Sequence, residues 1–211
     1  MAGRPRSEER SESVVLQRGL QTFAELGYDG ATVREIARRI GVSHNFIGDR
    51  FGSKLAFWRA VVDQACAEAR LHIDPEGMDD RELLEHTIRR FYHQAVGQQD
   101  LHRLIADEST RESERLEYLY TAYIGPVVEL TAGPAARLIE AGRMRPMPTH
   151  LLYFAALGPV TGVTQDPLAR RLGRAEGTTE EDLHALADQL TDFVLGGLWV
   201  AGARDPDQLP A

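Results

Sequence analysis

The sequence predicts an all-α fold, with a three-helix N-terminal head, a larger helical bundle behind it and about nine helices in all. Apolar residues recur at intervals of three and four through most of the chain, as on one face of a helix. Glycine and proline pairs separate these segments. No segment shows the alternating pattern of a half-buried strand, and no internal repeat is present.

The composition is that of a globular protein whose charge is unevenly distributed. The chain has 211 residues, 43% of them hydrophobic, which is enough for one large domain or two small ones. The net charge of −8 argues against nucleic acid at first sight. However, residues 1–55 carry nine basic and seven acidic residues, whereas residues 56–211 carry fifteen and twenty-five. A mildly basic head on an acidic body suits a protein that offers one face to phosphate.

Cysteine content and hydropathy predict a cytoplasmic location. Cys66 is the only cysteine, so no intrachain disulfide can form and a reducing compartment is expected. No apolar run approaches the ~20 residues that cross a bilayer. The N-terminus is polar and basic and lacks the apolar core of a secretory signal.

The first helix is predicted to begin near Ser7, which can cap it, and to end in a turn at residues 27–30. Its apolar face consists of Val15, Leu16, Leu20, Phe23, Ala24 and Leu26.

Residues 31–51, ATVREIARRIGVSHNFIGDRF, have the pattern of two short helices joined by a tight turn. Thr32 is a candidate cap, and Glu35 follows three residues later, which makes a capping box possible. Gly41 can adopt the left-handed conformation that ends a helix. Ser43 is a good N-cap for the second helix. The pattern predicts a helix-turn-helix, whose second helix lies in the major groove of DNA.

The motifs of residues 7–62 resemble those of the N-terminal DNA-binding domain of TetR-type transcriptional regulators. The matching residues, in chain order, are Phe23, Gly27, Tyr28, Ala31, Thr32, Val33, Ile36, Ala37, Gly41, Val42, Ser43, Phe51, Ser53, Lys54 and Leu55. The resemblance implies a DNA-binding regulator, usually a repressor, with its DNA-binding domain at residues 1–55. It also implies an effector-binding and dimerisation domain at residues 56–202, followed by a tail at residues 203–211.

Base readout needs donors and acceptors at the start of the second helix, and phosphate contact needs cations or hydroxyls on its flanks. Asn45 can make two hydrogen bonds to adenine, and His44 can donate to guanine or phosphate. By its position in the resembling motif, Arg34 points at the groove. Arg4 and Arg6, in an arm at residues 1–6, either enter a minor groove or belong to a disordered tail. The predicted DNA-binding residues are Thr32, Arg34, Ser43, His44, Asn45, Phe46, Arg50, Lys54, Arg4 and Arg6.

Two residues depart from the TetR-type pattern. The position that usually holds an aromatic residue, most often tyrosine, is Gly48 in this chain. Glycine inside a helix costs up to ~1 kcal/mol relative to alanine, and it removes a side chain that packs on phosphate. Asp49 repels phosphate but can accept a hydrogen bond from cytosine. Both residues bear on the strength and sequence preference of binding, but they do not remove the motif.

Further helices are predicted at residues 54–72, from 80 to a break at 97–100, and at residues 101–112, 114–141, 149–164 and 180–200. Gly125-Pro126 and Gly133-Pro134 should kink or interrupt the long helix. Residues 165–179 are expected to form a loop.

The last two helices are unusually apolar, and their small residues let helices approach closely. They are either core or a two-fold interface in which each subunit supplies two helices to a four-helix bundle. The resemblance favours a homodimer. The expected interface residues are Leu152, Ala156, Val160, Leu190, Phe193, Val194 and Trp199.

The body has more helix than a DNA-binding head needs. The resemblance implies a pocket for a small apolar effector, whose binding changes the spacing of the two heads. The candidate lining residues, which are otherwise ordinary core residues, are Phe91, Tyr92, Tyr118, Tyr120, Tyr123 and Phe154.

Other function classes have less support. The sequence contains no Gly-x-Ser-x-Gly elbow, phosphate-binding glycine loop or His-Glu-x-x-His motif, so neither an enzyme nor a cofactor is expected. His86 and His93, with His102 and two acidic residues downstream, lack a tight metal-ligand spacing, so no metal site is predicted. The remaining alternative is a helical dimer that binds partner proteins and has weakened DNA binding, which Gly48 favours.

Overall fold

The computed structural model describes residues 6–69 and 73–200, with side chains from residue 12 onward. Within these ranges the chain is helical without strands, and one antiparallel bridge pairs Met144 with Trp199. The all-α prediction is confirmed, and about nine helices is close to what is found. In chain order the helices are α1 (Arg6–Gly30), α2 (Val33–Ile40), α3 (Phe46–Phe51), α4 (Lys54–Glu68), α5 (Asp80–Ala95), α6 (Gln99–Glu108), α7 (Glu114–Leu119), a π-helix (Tyr120–Ile124), α8 (Gly125–Glu140), α9 (Thr149–Leu157), a 3₁₀ turn (Gly158–Val160), α10 (Thr161–Thr164), α11 (Asp166–Arg171) and α12 (Glu180–Leu198).

The chain divides into two compact units. The first spans residues 1–70 and 98–118, and the second spans residues 71–97 and 119–211. The first unit therefore contains α4 and α6 in addition to the three N-terminal helices. The functional boundary expected at residue 55 stays a prediction.

The first unit is built around α1, which packs against α4, α6 and α2. The apolar face predicted for α1 is largely buried, with Phe23 only 2% exposed. Gly19 lies where α1 crosses α4, beside Phe57 and Val61. Gly27 bends the end of α1, because its φ of 68° and ψ of 165° are not helical. This bend accounts for the turn predicted at residues 27–30.

The second unit is organised around α5, which packs against α12, α8 and α9. Capping boxes begin α5 at Asp79 and α12 at Thr179. Tyr92 of α5 is fully buried, and its hydroxyl donates to the carbonyl of Ala156 at 2.5 Å. Since a buried hydroxyl needs a partner, this bond fixes α9 against α5.

The predicted break at Gly125-Pro126 is present as the π-helix and the start of α8, but α8 continues through Pro134 without interruption. Pro134, Ala135 and Leu138 are all buried, so packing holds this segment helical despite the missing backbone donor.

The stretch at residues 165–179 is not a loop throughout, because α11 forms within it. Asp166 begins this helix and pairs with both Arg170 and Arg174 at 2.7 Å. The glycine content and charge of this segment predicted a loop, but ion pairs stabilise a short helix within it.

Candidate nucleic-acid interface

The turn between α2 and α3 forms largely as the sequence predicts. The Thr32 hydroxyl accepts a hydrogen bond from the Glu35 amide at 3.2 Å, and Gly41 ends α2 in the left-handed conformation with φ 84°. The capping box is not completed, because the Glu35 carboxylate accepts from Arg38 and Arg39 instead. These arginines, Arg38 first, lower the pKa of Glu35 to about 2.

The second helix of the motif begins later than expected. α3 starts at Phe46, and its N-cap is Asn45 rather than Ser43, without a side-chain capping bond. The Phe46 amide donates to the Ser43 carbonyl at 3.0 Å, so His44 and Asn45 form a turn that leads into the helix. A tight turn replaces the expected cap because the backbone of Ser43, not its hydroxyl, satisfies the first free amide.

Apolar residues fix α3 to the rest of the first unit. Ile47 is 1% exposed, and the half-buried ring of Phe51 meets that of Phe57 with centroids 4.9 Å apart. Phe46, predicted to contact DNA, is half-buried and lies against Phe51 with centroids 6.2 Å apart. The opposite surface of the helix is thereby left to polar residues.

Arg34, His44 and Asn45 are exposed next to this turn. Arg34 and His44 line one surface depression of about 400 Å³, together with Thr32 and Glu35. No hydrogen bond or ion pair from the described residues holds the side chains of Arg34, His44 or Asn45. Their donors and acceptors are therefore available to base edges or phosphates.

The flanking cations are partly engaged within the protein. Arg50 is bonded to the Glu12 carboxylate at 2.6 Å. Lys54 lies at the start of α4 with Nζ 4.1 Å from the centroid of the Tyr28 ring. Burial lowers the pKa of Lys54 and Arg115 adds to this shift, while Asp29 opposes it. Of the predicted arm residues, Arg4 and the side chain of Arg6 lie outside the described part of the chain.

The Tyr28 ring also contacts a second cation, Arg115, which was not predicted from the sequence. Arg115 Cζ lies 4.0 Å from the ring centroid, and its Nε donates to Glu108 Oε1 at 2.9 Å. The side chains of Arg115 and Glu108 are only 11% and 2% exposed. The sequence gives one hint, since Glu108 falls with Leu101 and Leu104 on the buried face of α6.

The six aromatic residues predicted for an effector pocket belong to both units. Tyr118 belongs to the first unit, where its hydroxyl donates to Asp63. In the second unit Tyr92 is fully buried, while Tyr120 and Phe154 are more than half exposed. Phe91 and Tyr123 are half-buried. The effector pocket expected from these residues stays a prediction.

An apolar cavity of about 60 Å³ does lie within the second unit. Its lining is mostly aliphatic and includes Tyr153 and three threonines, Thr87, Thr131 and Thr149. None of the six predicted residues lines it. Helical spacing could have indicated the lining, since Leu84, Thr87 and Ile88 on α5 and Val127, Val128, Thr131 and Ala132 on α8 are separated by three and four.

The residues predicted for a dimer interface fall into three groups by burial. Ala156, Val160 and Val194 are buried in the core of the second unit and leave little surface for a partner. Leu152, Leu190 and Trp199 are half-buried against the same core. Phe193 is 80% exposed, and Phe154 and Leu151 on α9 are 63% and 51% exposed. These last three side chains provide the apolar surface of α9 and α12.

A histidine pair joins α5 to α12. His93 and His184 face each other with Nδ1 atoms 2.9 Å apart, and His93 Nε2 lies 2.8 Å from Asp188 Oδ1. Arg89 also bonds Asp188, at 2.9 Å. No group of three metal-ligating side chains suited to a metal ion occurs between residues 12 and 200 outside the gap at 70–72. Over the described helices, none is long and apolar enough to cross a membrane.

Comparisons with known proteins agree with this geometry. Residues 15–61 match the family described as bacterial regulatory proteins, tetR family. No curated protein matches the chain. Among solved structures, a mutant of HlyIIR with a linker containing two thrombin sites has a TM-score of 0.66 at 17% identity, over 91% of this chain and 98% of that one.

Two further structures are similar along nearly their whole length. A Clostridium perfringens putative fatty acid metabolism regulator has a TM-score of 0.64 at 17% identity, over 89% of this chain and 99% of that one. The ketosteroid transcriptional regulator KstR2 of Mycobacterium tuberculosis has a TM-score of 0.60 at 21% identity, over 94% and 98%. Residues 15–61 are therefore similar to the DNA-binding domain of the tetR family, and the solved structures show that this chain shares their fold along most of its length.

Proposed function

We propose that this protein is a transcriptional regulator of the TetR type, a ligand-responsive repressor that binds a palindromic operator as a homodimer. The observation that supports this most is the exposed set Arg34, His44 and Asn45, whose side chains have no partner among the described residues. Such groups exchange water for a base edge or phosphate without breaking an internal bond. Thr32 and Ser43, which are also exposed, remain candidates for phosphate contact.

A palindromic operator follows from the proposed dimer. In helix-turn-helix dimers two recognition helices enter major grooves one helical turn apart, about 34–36 Å, and the operator repeats the two-fold symmetry of the protein.

Replacing Asn45 with alanine is expected to relax specificity at one base position and to cost about 1–3 kcal/mol there, because the bidentate contact to adenine is lost. Fluorescence anisotropy on a duplex from the upstream region of the gene, and on its single-base variants, measures this. Unchanged affinity on every variant would remove Asn45 from the proposed readout.

Lys54→Ala is the matched control, because the loss of a phosphate contact should weaken binding to all DNA sequences alike. A loss confined to some sequences would contradict the phosphate role. Binding by the wild type should weaken steeply with salt, since displaced counterions are released when phosphates are neutralised.

The alternative function is a partner-binding helical dimer with weakened DNA affinity. Gly48 and Asp49 favour it, since both are exposed where the helix would meet phosphate. Absence of DNA binding at micromolar protein in both low and high salt would support this alternative.

The proposed dimer is supported by exposed apolar surface on α9 and α12. Phe193→Asp is expected to convert dimers to monomers, because it places a charge on the proposed apolar interface. The monomers should remain folded, because the Phe193 ring is 80% exposed and contributes little to the fold of its own subunit. Trp199 is a poorer probe, since it packs on the core of its own unit and beneath Arg81. Sedimentation velocity measures the outcome.

Leu172→Asp is the matched control for Phe193→Asp. Leu172 is 79% exposed but lies just after α11, outside the proposed interface helices α9 and α12. Dimers should persist in this variant, and dimers that persist in both variants would contradict the proposed interface.

An apolar effector is proposed for the cavity beside Tyr153. Small-molecule pockets usually have about 300–1,000 Å³, so a cavity of about 60 Å³ must open to admit a ligand. A ligand that favours the opened form shifts the population of DNA-binding states by its differential affinity. Thermal-shift screening of apolar metabolites tests this proposal. The cavity-filling variant Thr131→Leu should lose the rise in melting temperature that a bound ligand causes.

A further inference from the structure

The ring of Tyr28 is shared by two cations of the first unit. Lys54 Nζ lies 4.1 Å and Arg115 Cζ lies 4.0 Å from its centroid. Tyr28 directly follows the bend at Gly27, and Lys54 is the first residue of α4. The residue proposed to contact phosphate is therefore bound, in the protein without DNA, to an aromatic face.

Arg115 is the fixed member of this pair. Its Nε donates to Glu108, whose other carboxylate oxygen accepts from the Ser113 hydroxyl at 3.3 Å. With Glu108 only 2% exposed, the anion and its guanidinium hold each other in place. Lys54 is half-buried, and its ammonium lies at the end of a flexible aliphatic side chain. No carboxylate holds it on the ring by a described hydrogen bond, as Glu108 holds Arg115.

The two cations weaken each other's hold on the ring. Both are attracted by the same ring quadrupole, and as like charges they repel each other. Burial lowers the pKa of Lys54, Asp29 opposes this shift, and Arg115 lowers the pKa further. The repulsion acts on the movable partner, so Lys54 is held less firmly than it would be on an unshared ring.

We propose that Arg115 is a positioning residue for DNA binding, because by occupying the Tyr28 ring it keeps the Lys54 ammonium ready to leave that ring for a phosphate. This inference rests on the proposed function, in which Lys54 contacts the DNA backbone. Without the guanidinium, Lys54 stays on the ring and its phosphate contact is lost.

The test uses the double variant Glu108→Gln/Arg115→Gln in the full chain. It removes both charges together, so no buried charge is left unpaired and the net charge is unchanged. Affinity for a short duplex of arbitrary sequence is measured across a salt series. The slope of log affinity against log salt should fall by about one, as it does for a protein that loses one phosphate contact.

Two comparisons separate positioning from a structural effect. Adding Lys54→Gln to the double variant should lower the slope no further. The matched control is Asp107→Asn/Arg111→Gln, a nearby pair of 2.7 Å that lines a depression with Tyr28 but has no described cation–π contact with its ring, and it should keep the wild-type slope. A purely structural role of Arg115 would lower the melting temperature and leave the slope unchanged, which would overturn the inference.

A second measurement needs no DNA. Protons held over an aromatic face are shielded, so the ε-methylene resonances of Lys54 should move upfield in the double variant. Unchanged or downfield-shifted resonances would overturn the inference. Absence of salt-dependent DNA binding by the wild type would overturn the proposed function and this role with it. Wild-type binding with an unaltered slope in the double variant would overturn this role alone.

Discussion

Arg115→Met is expected to lower the free energy of unfolding by about 3–5 kcal/mol, because it leaves the Glu108 carboxylate charged, buried and without its cation. The carboxylate is only 2% exposed, and the Ser113 hydroxyl would be its one remaining partner among the hydrogen bonds described here. Urea unfolding followed by circular dichroism measures the loss.

Two controls define the cause of this loss. Glu108→Leu/Arg115→Met removes both charges and should recover most of the stability, since apolar replacements of a buried pair are often neutral. Arg170→Met breaks an exposed pair with Asp166, whose side chains are 50% and 45% exposed, and should cost well under about 1 kcal/mol. Equal losses for Arg115→Met and Arg170→Met would contradict the role of burial.

Gly19→Leu is expected to destabilise the first unit by about 3 kcal/mol through overpacking. A Cβ at Gly19 would lie 2.7 Å from Phe57 Cζ and 2.8 Å from Val61 Cγ2. Both neighbours are buried, at 0% and 1% exposure, so neither can move aside without disturbing the crossing of α1 and α4. Chemical denaturation gives the change.

Gly48→Leu is the matched control, because the same substitution meets open space there. Nothing lies within 4 Å of a Cβ at Gly48. Since leucine is a better helix former than glycine, we expect a gain of roughly 0.5–1 kcal/mol. If both variants changed stability in the same direction, local packing would not be the deciding factor.

The sequence predicted those features of the DNA-binding head that depend on local chemistry. Thr32 caps α2 because a hydroxyl at that position meets a free amide, and Gly41 ends α2 because only glycine adopts its conformation without strain. Ser43 has the same capping chemistry, but the backbone turn before α3 left its hydroxyl unused. The prediction of that cap was wrong because turn geometry depends on how α3 is anchored.

Features that depend on tertiary contacts could not be predicted. Lys54 and Tyr28 were both matched to the TetR-type pattern, but no spacing rule brings Arg115 onto the same ring. The continuity of α8 through Pro134 likewise depends on burial rather than on propensity. The six aromatic residues range from fully buried Tyr92 to Phe154 at 63% exposure, so aromatic spacing alone does not determine burial.

The stacked histidines between α5 and α12 determine each other's tautomers. Their ring centroids are 5.0 Å apart, and their facing Nδ1 atoms are 2.9 Å apart. A bond between two ring nitrogens uses one hydrogen and one lone pair, and the Asp188 carboxylate can only accept, so His93 donates from Nε2 to Asp188 and accepts at Nδ1 from His184 when both rings are neutral. Two residues one turn apart on α12 thus hold a single side chain of α5 between them, and the carboxylate sets the direction of both hydrogen bonds.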